Sequence, residues 1–247
     1  MALLKVLLLL GLGVSVNSDV SLQKRIIGGQ NCHDTERLYH VRLESSKGNK
    51  VDRCGGSLIH PEWILTVAHC WKSEDGWTNR AVLKVHPRTV IQYNPVIRQA
   101  PVIYDPGHDI MLLKLETPVT DVPVARLPDC IYRLKKDDVV QLAGEGATTV
   151  DYRRERLRIS AIPAHLQCVD MKVIGASIVR PKYGRVFSAQ ALNQDMCFGD
   201  SGGAVVYNDM IYGVISFVTN NYAFRKPSYL IDVCAYLGWI KEKTGIQ

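Results

Sequence analysis

None of the seven cysteines belongs to a Cys-x-x-Cys pair, and their single, scattered placement argues against structural zinc and for disulfides formed in an oxidising compartment. Seven is an odd number, so at least one thiol stays free or pairs with another chain. There is no Asn-x-Ser/Thr sequon, so N-glycosylation is not expected. No run of like charge is present either. The formal charge of +6 is spread along the chain, without the basic arm that would suggest nucleic-acid binding. Beyond the first residues, no apolar stretch is long enough to cross a bilayer.

What is present reads as one exported globular protein. An apolar content of 47% with 22% charged residues is ordinary for a folded chain of 247 residues. The densest basic stretch, Arg153-Arg154-Glu155-Arg156-Leu157-Arg158, is expected as a solvated loop, with binding to an anionic or heparin-like surface the alternative. Residues 1–18 combine an early lysine, a leucine-rich run and small residues, the pattern of a secretory signal peptide. Residues 19–25 end in Lys24-Arg25 and precede Ile26-Ile27-Gly28-Gly29, as a pro-segment and its cleavage point would. A cut after Arg25 exposes an ammonium on Ile26, which calls for a buried carboxylate; Asp200 is the candidate.

Short β-branched runs at 39–43, 57–59, 64–68, 81–85, 102–104 and 110–115 are separated by glycine, proline and charged clusters. Such spacing predicts an all-β sandwich or barrel. The only helix signal is C-terminal, where Val233, Tyr236, Leu237 and Ile240 recur with helical period. Three features in this frame carry chemistry. His69 ends the apolar run 65–70, Asp109 opens the apolar run that follows it, and Ser201 lies between Gly199 and Gly202-Gly203. Two of the three alone have a bland explanation: a hydrogen-bonded core histidine and an ordinary glycine-rich loop. Together they suit nucleophilic catalysis. A serine hydroxyl needs a base near neutral pKa, and a carboxylate buried beside Ile110 needs a donor such as an imidazole N–H. A bridge between Cys54 and Cys70 would pin the backbone of His69.

Five motifs in order, Ile-Ile-Gly-Gly at 26–29, Cys-Gly-Gly-Ser-Leu-Ile at 54–59, Leu-Thr-Val-Ala-His-Cys at 65–70, His-Asp-Ile-Met-Leu-Leu-Lys-Leu at 108–115 and Gly-Asp-Ser-Gly-Gly at 199–203, resemble the chymotrypsin-like (trypsin-fold) secreted serine peptidases. The resemblance runs over essentially the whole chain from Ile26. It implies an all-β fold of two six-stranded antiparallel β-barrels, roughly 26–135 and 136–247, with a C-terminal α-helix and the site between the lobes. It also implies Ser201 as nucleophile, His69 as general base and acid, Asp109 as the orienting carboxylate, and the N–H groups of Gly199 and Ser201 as oxyanion hole. Ser216 matches the strand that binds substrate backbone. A bridge Cys130–Cys234 is implied beside Cys54–Cys70, with no metal and no cofactor. Expected partners are protein or peptide substrates, an activating protease and protein protease inhibitors, met by a monomer that is extracellular or held in a secretory granule.

Departures from the pattern concern specificity. Asp195 matches the pocket-floor carboxylate that attracts arginine or lysine in trypsin-like members. The wall positions, glycine in open pockets, are Val218 and Ser228 and narrow the slot. Two forms of the enzyme reading follow: a trypsin-like protease with a constricted pocket, or one that takes smaller residues and keeps Asp195 as a buried carboxylate. Cys32, Cys168 and Cys197 fall on family cysteine positions whose usual partners are missing. Ala204 replaces a proline, and Gly144-Glu145-Gly146 lacks the usual tryptophan. A different class of function, a protease homologue acting as a binding protein, fits the same fold.

Overall fold

The computed structural model describes residues 26–88, 92–157, 161–219 and 221–247. The signal-peptide and pro-segment readings, Arg25 included, lie outside the described residues, as does Arg158.

Alternating and continuous apolar runs lay down two antiparallel layers. The first holds β2 (His40–Lys47), β3 (Lys50–His60), β4 (Trp63–Thr66), β5 (Thr78–Val82), β6 (Val102–Ile103) and β7 (Met111–Lys114). Their order is β5-β2-β3-β4-β7-β6, and residues 93–97 run beside β5 before leading into β6. The second holds β8 (Val139–Gly144), β9 (Gln167–Arg180), β10 (Gly184–Gln190), β11 (Ala204–Tyr207), β12 (Met210–Val218) and β13 (Ser228–Asp232). These six close on themselves, because β8 pairs with both β11 and β9. A short strand β1 (Gln30–Asn31) is added on the outer side of β9, so the second sheet counts seven strands where six are expected from sequence.

The fold is thus all-β with one C-terminal helix, as the sequence predicts. That helix, α1 (Leu237–Thr244), is shorter than the periodic pattern suggests. Val233–Ala235 form a separate 3₁₀ turn in which the Cys234 N–H donates to the Asp232 side chain, and Gly245 closes α1 at φ +74°. Ile240 is buried in the same apolar cluster as Leu58, Ile64, Leu112, Val214 and Ile231, so the helix helps join the layers. A second cluster fills the closed barrel with Val140, Leu142, Val169, Met171 and Leu230, and Ile26 is fully buried in it.

Three bridges staple the chain: Cys54–Cys70, Cys130–Cys234 and Cys32–Cys168. The last answers a pairing that the sequence leaves open, since the usual family partners of Cys32 and Cys168 are missing. They are each other's partners across 136 residues, brought together because Gln30 and Asn31 pair with Cys168 and Gln167. Cys197 is the odd thiol, buried without a bridge, and burial pushes it up to about 12, where it is inert at neutral pH.

Candidate active site

His69 sits in a 3₁₀ turn, Ala68–Cys70, directly after β4. The neighbouring bridge to Cys54 in β3 ties this turn to the sheet. Asp109 stands one residue before the fully buried Ile110, at the mouth of β7, and its backbone N–H donates to Tyr183 across the inter-lobe boundary at 3.1 Å. Both carboxylate oxygens of this buried residue are engaged. Oδ1 accepts the His69 backbone N–H at 2.9 Å, and Oδ2 accepts from His69 Nδ1 at 2.9 Å and from the Ser216 hydroxyl at 2.6 Å. That network fixes the imidazole tautomer with Nδ1 protonated and leaves Nε2 directed to the open side, where the side chain is 45% exposed. The sulfurs nearest His69 belong to the Cys54–Cys70 bridge and offer no thiolate to a metal.

The serine turn docks on β3 from the other lobe. Gly55 N–H donates to the Ser201 carbonyl at 2.7 Å, and Gly202 N–H donates to Ile215 O at 2.7 Å. Gly202 takes φ +86°, and a Cβ there would lie 2.1 Å from Gly55 O, so glycine is required for this approach. Gly199 takes φ +99°, and its Cβ would meet Gly146 Cα at 2.9 Å. Among the described residues, the amides of Gly199 and Ser201 donate to no protein acceptor. Ser201 Oγ donates to the Ser216 carbonyl at 3.2 Å and makes no hydrogen bond to His69. Ser216 therefore touches both halves of the site, its carbonyl at Ser201 and its hydroxyl at Asp109.

Asp200 is wholly buried behind this turn. Its oxygens accept the amides of Gly146 and Cys197, each at 2.8 Å, and burial pushes the carboxyl up to about 7. Beside it Glu145, at the position where the sequence lacks a tryptophan, is buried in a charge cluster. It meets Arg42 Nη1 at 3.2 and 3.3 Å and forms a short ion pair with Arg88. His40, fully buried at 4.0 Å from Glu145, is held at about 4 because burial disfavours its cation. Glu145→Ala would remove the shared counter-ion of Arg42, which keeps Glu44 at 2.9 Å, and of the partly exposed Arg88, and a loss of about 1–3 kcal/mol in urea unfolding is expected.

The pocket floor differs most from sequence expectation. Asp195 and Ser228 are both buried, with Ser228 Oγ at 3.4 Å from Asp195 Oδ1 and Phe224 N–H donating to Oδ2 at 2.7 Å. The carboxylate is also in a short ion pair with Arg156 Nη2. Arg156 is therefore no part of a solvated basic loop: it is 3% exposed. Nothing in a run of charges tells which one turns inward. The one hint is that Asp195, behind narrowed walls, needs a cation from somewhere. Val218, in β12, pairs with Ser228 across the strand. The cleft beside Asp195, lined by Gln194, Phe224, Lys226 and Ser228 among others, is too tight to admit even a water molecule.

Two antiparallel β layers with an imidazole–carboxylate pair beside a glycine-flanked serine define a chymotrypsin-like serine hydrolase. The Trypsin family model matches residues 26–240, and the chain belongs to that family. Over 247 residues it is 32% identical to Trypsin-4 of Rattus norvegicus, covering 94% of both chains. It is 31% identical to Kallikrein-2 of Homo sapiens over 90% of each, and 28% identical to Trypsin of Sus scrofa over 88% of this chain and 95% of that one. The protein is a serine-type endopeptidase, a hydrolase acting on protein or peptide substrates, and no helix among its described residues is long and apolar enough to cross a membrane.

Proposed function

We propose that this chain is an exported zymogen, cut after Arg25, that hydrolyses peptide bonds through Ser201, His69 and Asp109. The observation that carries the reading is the doubly engaged Asp109 holding Nδ1 of His69 while Nε2 stays open. With substrate present, the Ser201 hydroxyl turns from the Ser216 carbonyl to Nε2. Its oxygen attacks the scissile carbonyl carbon while the imidazole takes its proton, and Asp109 balances the imidazolium. The unengaged amides of Gly199 and Ser201 receive the oxyanion, where one lost donor costs about 2.7–4 kcal/mol. As the C–N bond breaks, His69 returns the proton to the departing amine. Water, deprotonated in the same way, then releases the acyl group.

Activation is the same chemistry of charge seen at Asp200. Ile26 lies fully buried at φ +46°, a left-handed torsion that a β-branched residue rarely holds. Cutting the bond before Ile26 abolishes that torsion and creates an ammonium, the natural counter-ion for Asp200. The leader at 1–18 sends the precursor out of the cell or into a granule. There an activating protease and protein inhibitors would meet it, and it works as a monomer.

The competing reading is a binding protein on the same fold, favoured by the closed pocket. A fluorophosphonate separates the two. Ser201 of the cleaved protein is expected to be labelled, whereas the uncleavable Lys24→Gln/Arg25→Gln precursor and Ser201→Ala remain unlabelled. Absence of labelling after complete cleavage would establish the binding role.

A further inference from the structure

We propose that Arg156 sets the specificity of this protease: its guanidinium answers the pocket carboxylate from within the chain. The site therefore takes small uncharged side chains before the scissile bond, and the ability to cut after arginine or lysine is latent in Asp195. This inference rests on the proteolytic reading above and deepens it.

The guanidinium is built into its place. Besides the ion pair with Asp195, Nε donates to the Met196 carbonyl at 2.9 Å and Nη1 to the Tyr222 carbonyl at 3.0 Å. The backbone holds the stem in register. Arg156 N–H donates to Asn221 O at 2.9 Å, Ala223 N–H donates to Arg154 O at 3.0 Å, and Glu155 pairs with Tyr222. Segment 154–156 thus runs antiparallel to 221–223, in the chain between the two wall residues Val218 and Ser228.

An incoming basic side chain would meet a neutralised pair instead of a free carboxylate. To bind Asp195 it would have to displace Arg156, leaving the Met196 and Tyr222 carbonyls without their donors in a buried setting. Lys226, which lines the tight cleft beside Asp195, adds a further positive charge in its neighbourhood. The same charge that recruits arginine in an open pocket is here spent on the chain itself. A small apolar side chain needs neither displacement nor a counter-ion, and it asks little depth of walls narrowed by Val218 and Ser228.

The test uses the protein cleaved after Arg25, with Arg156→Ser and Arg156→Gln. Gln keeps the stem and an amide donor and carries the test if Ser does not fold. Peptides varied at the residue before the cut give kcat/KM ratios, and calorimetry with benzamidine, a flat amidinium cation, reads the pocket without turnover. The wild type is expected to favour Ala or Val and to bind no benzamidine at millimolar concentration. Each variant is expected to raise the Arg-to-Ala ratio at least ~100-fold and to bind benzamidine, and both gains should vanish on adding Asp195→Ser. Wild-type enzyme that prefers arginine, or a folded variant that labels with fluorophosphonate yet gains neither property, would overturn the assignment. Failure of the wild type to label strikes instead at the proteolytic reading, and benzamidine binding still decides the pocket.

Discussion

Alanine in place of Ser201 is expected to lower kcat of the cleaved enzyme by about 10⁶-fold, the size known for triads of this kind, with the fold unchanged. His69→Ala should cost about as much, and the double substitution scarcely more, because neither group works without the other. Asp109→Asn is expected to cost about 10⁴-fold, the loss established for the family's own template. The structural reason is specific to Asp109. An amide there would present a donor to His69 Nδ1 or to the Ser216 hydroxyl, and the imidazole would adopt the wrong tautomer. Steady-state hydrolysis of a peptide chosen from a library scan measures all four. Additive losses in the double variant, or an Asp109→Asn enzyme of near wild-type rate, would show that the three groups do not act as a unit.

The second large effect concerns pH and the uncleaved chain. Burial raises the Asp200 carboxyl from an ordinary 3.8 to about 7. The native precursor therefore holds a proton that the unfolded chain has already released between those values. Stability from this group is complete below about pH 4, falls as pH rises to about 7, and is level above it. Three pH units at about 1.36 kcal/mol each give a loss on the order of 4 kcal/mol. Cleavage supplies an ammonium at Ile26, so the mature protein should not show this loss. The expected result is a gap in urea midpoint between mature Ser201→Ala and the Lys24→Gln/Arg25→Gln precursor that widens from pH 4 to pH 7. A gap independent of pH would mean that Asp200 is not the acceptor of the new terminus.

Much of the site is legible in the sequence because its chemistry is carried by short local words. The glycines around Ser201, the apolar run before His69 and the one after Asp109 announce their residues whatever the distances between them. Contacts made by remote pairing are harder to read. Cys32 and Cys168 meet because a two-residue strand docks on β9, and no local pattern at either cysteine forecasts that. Arg156 is hidden for another reason. A basic run reveals charge and not direction, and one member of the run turns into the protein while its neighbours Arg153 and Arg154 stay exposed. Spacing also overstates the terminal helix, since Val233 and Tyr236 fit a 3₁₀ turn as well as an α-helix. The narrowing by Val218 and Ser228 is visible in sequence; the cation behind them needs the fold.

The bridge between Cys32 and Cys168 has a mechanical consequence for the proposed cleavage after Arg25. With β1, it anchors the segment after the cut to the wall of the closed barrel, leaving only residues 26–29 to find their seat. A tether that short confines the fresh terminus to an effective concentration in the millimolar range, so docking is intramolecular and fast. The departing heptapeptide 19–25 contains no cysteine and keeps no covalent hold on the protein. On the proposed reading it would diffuse away, and maturation would behave as a ratchet with no return stroke.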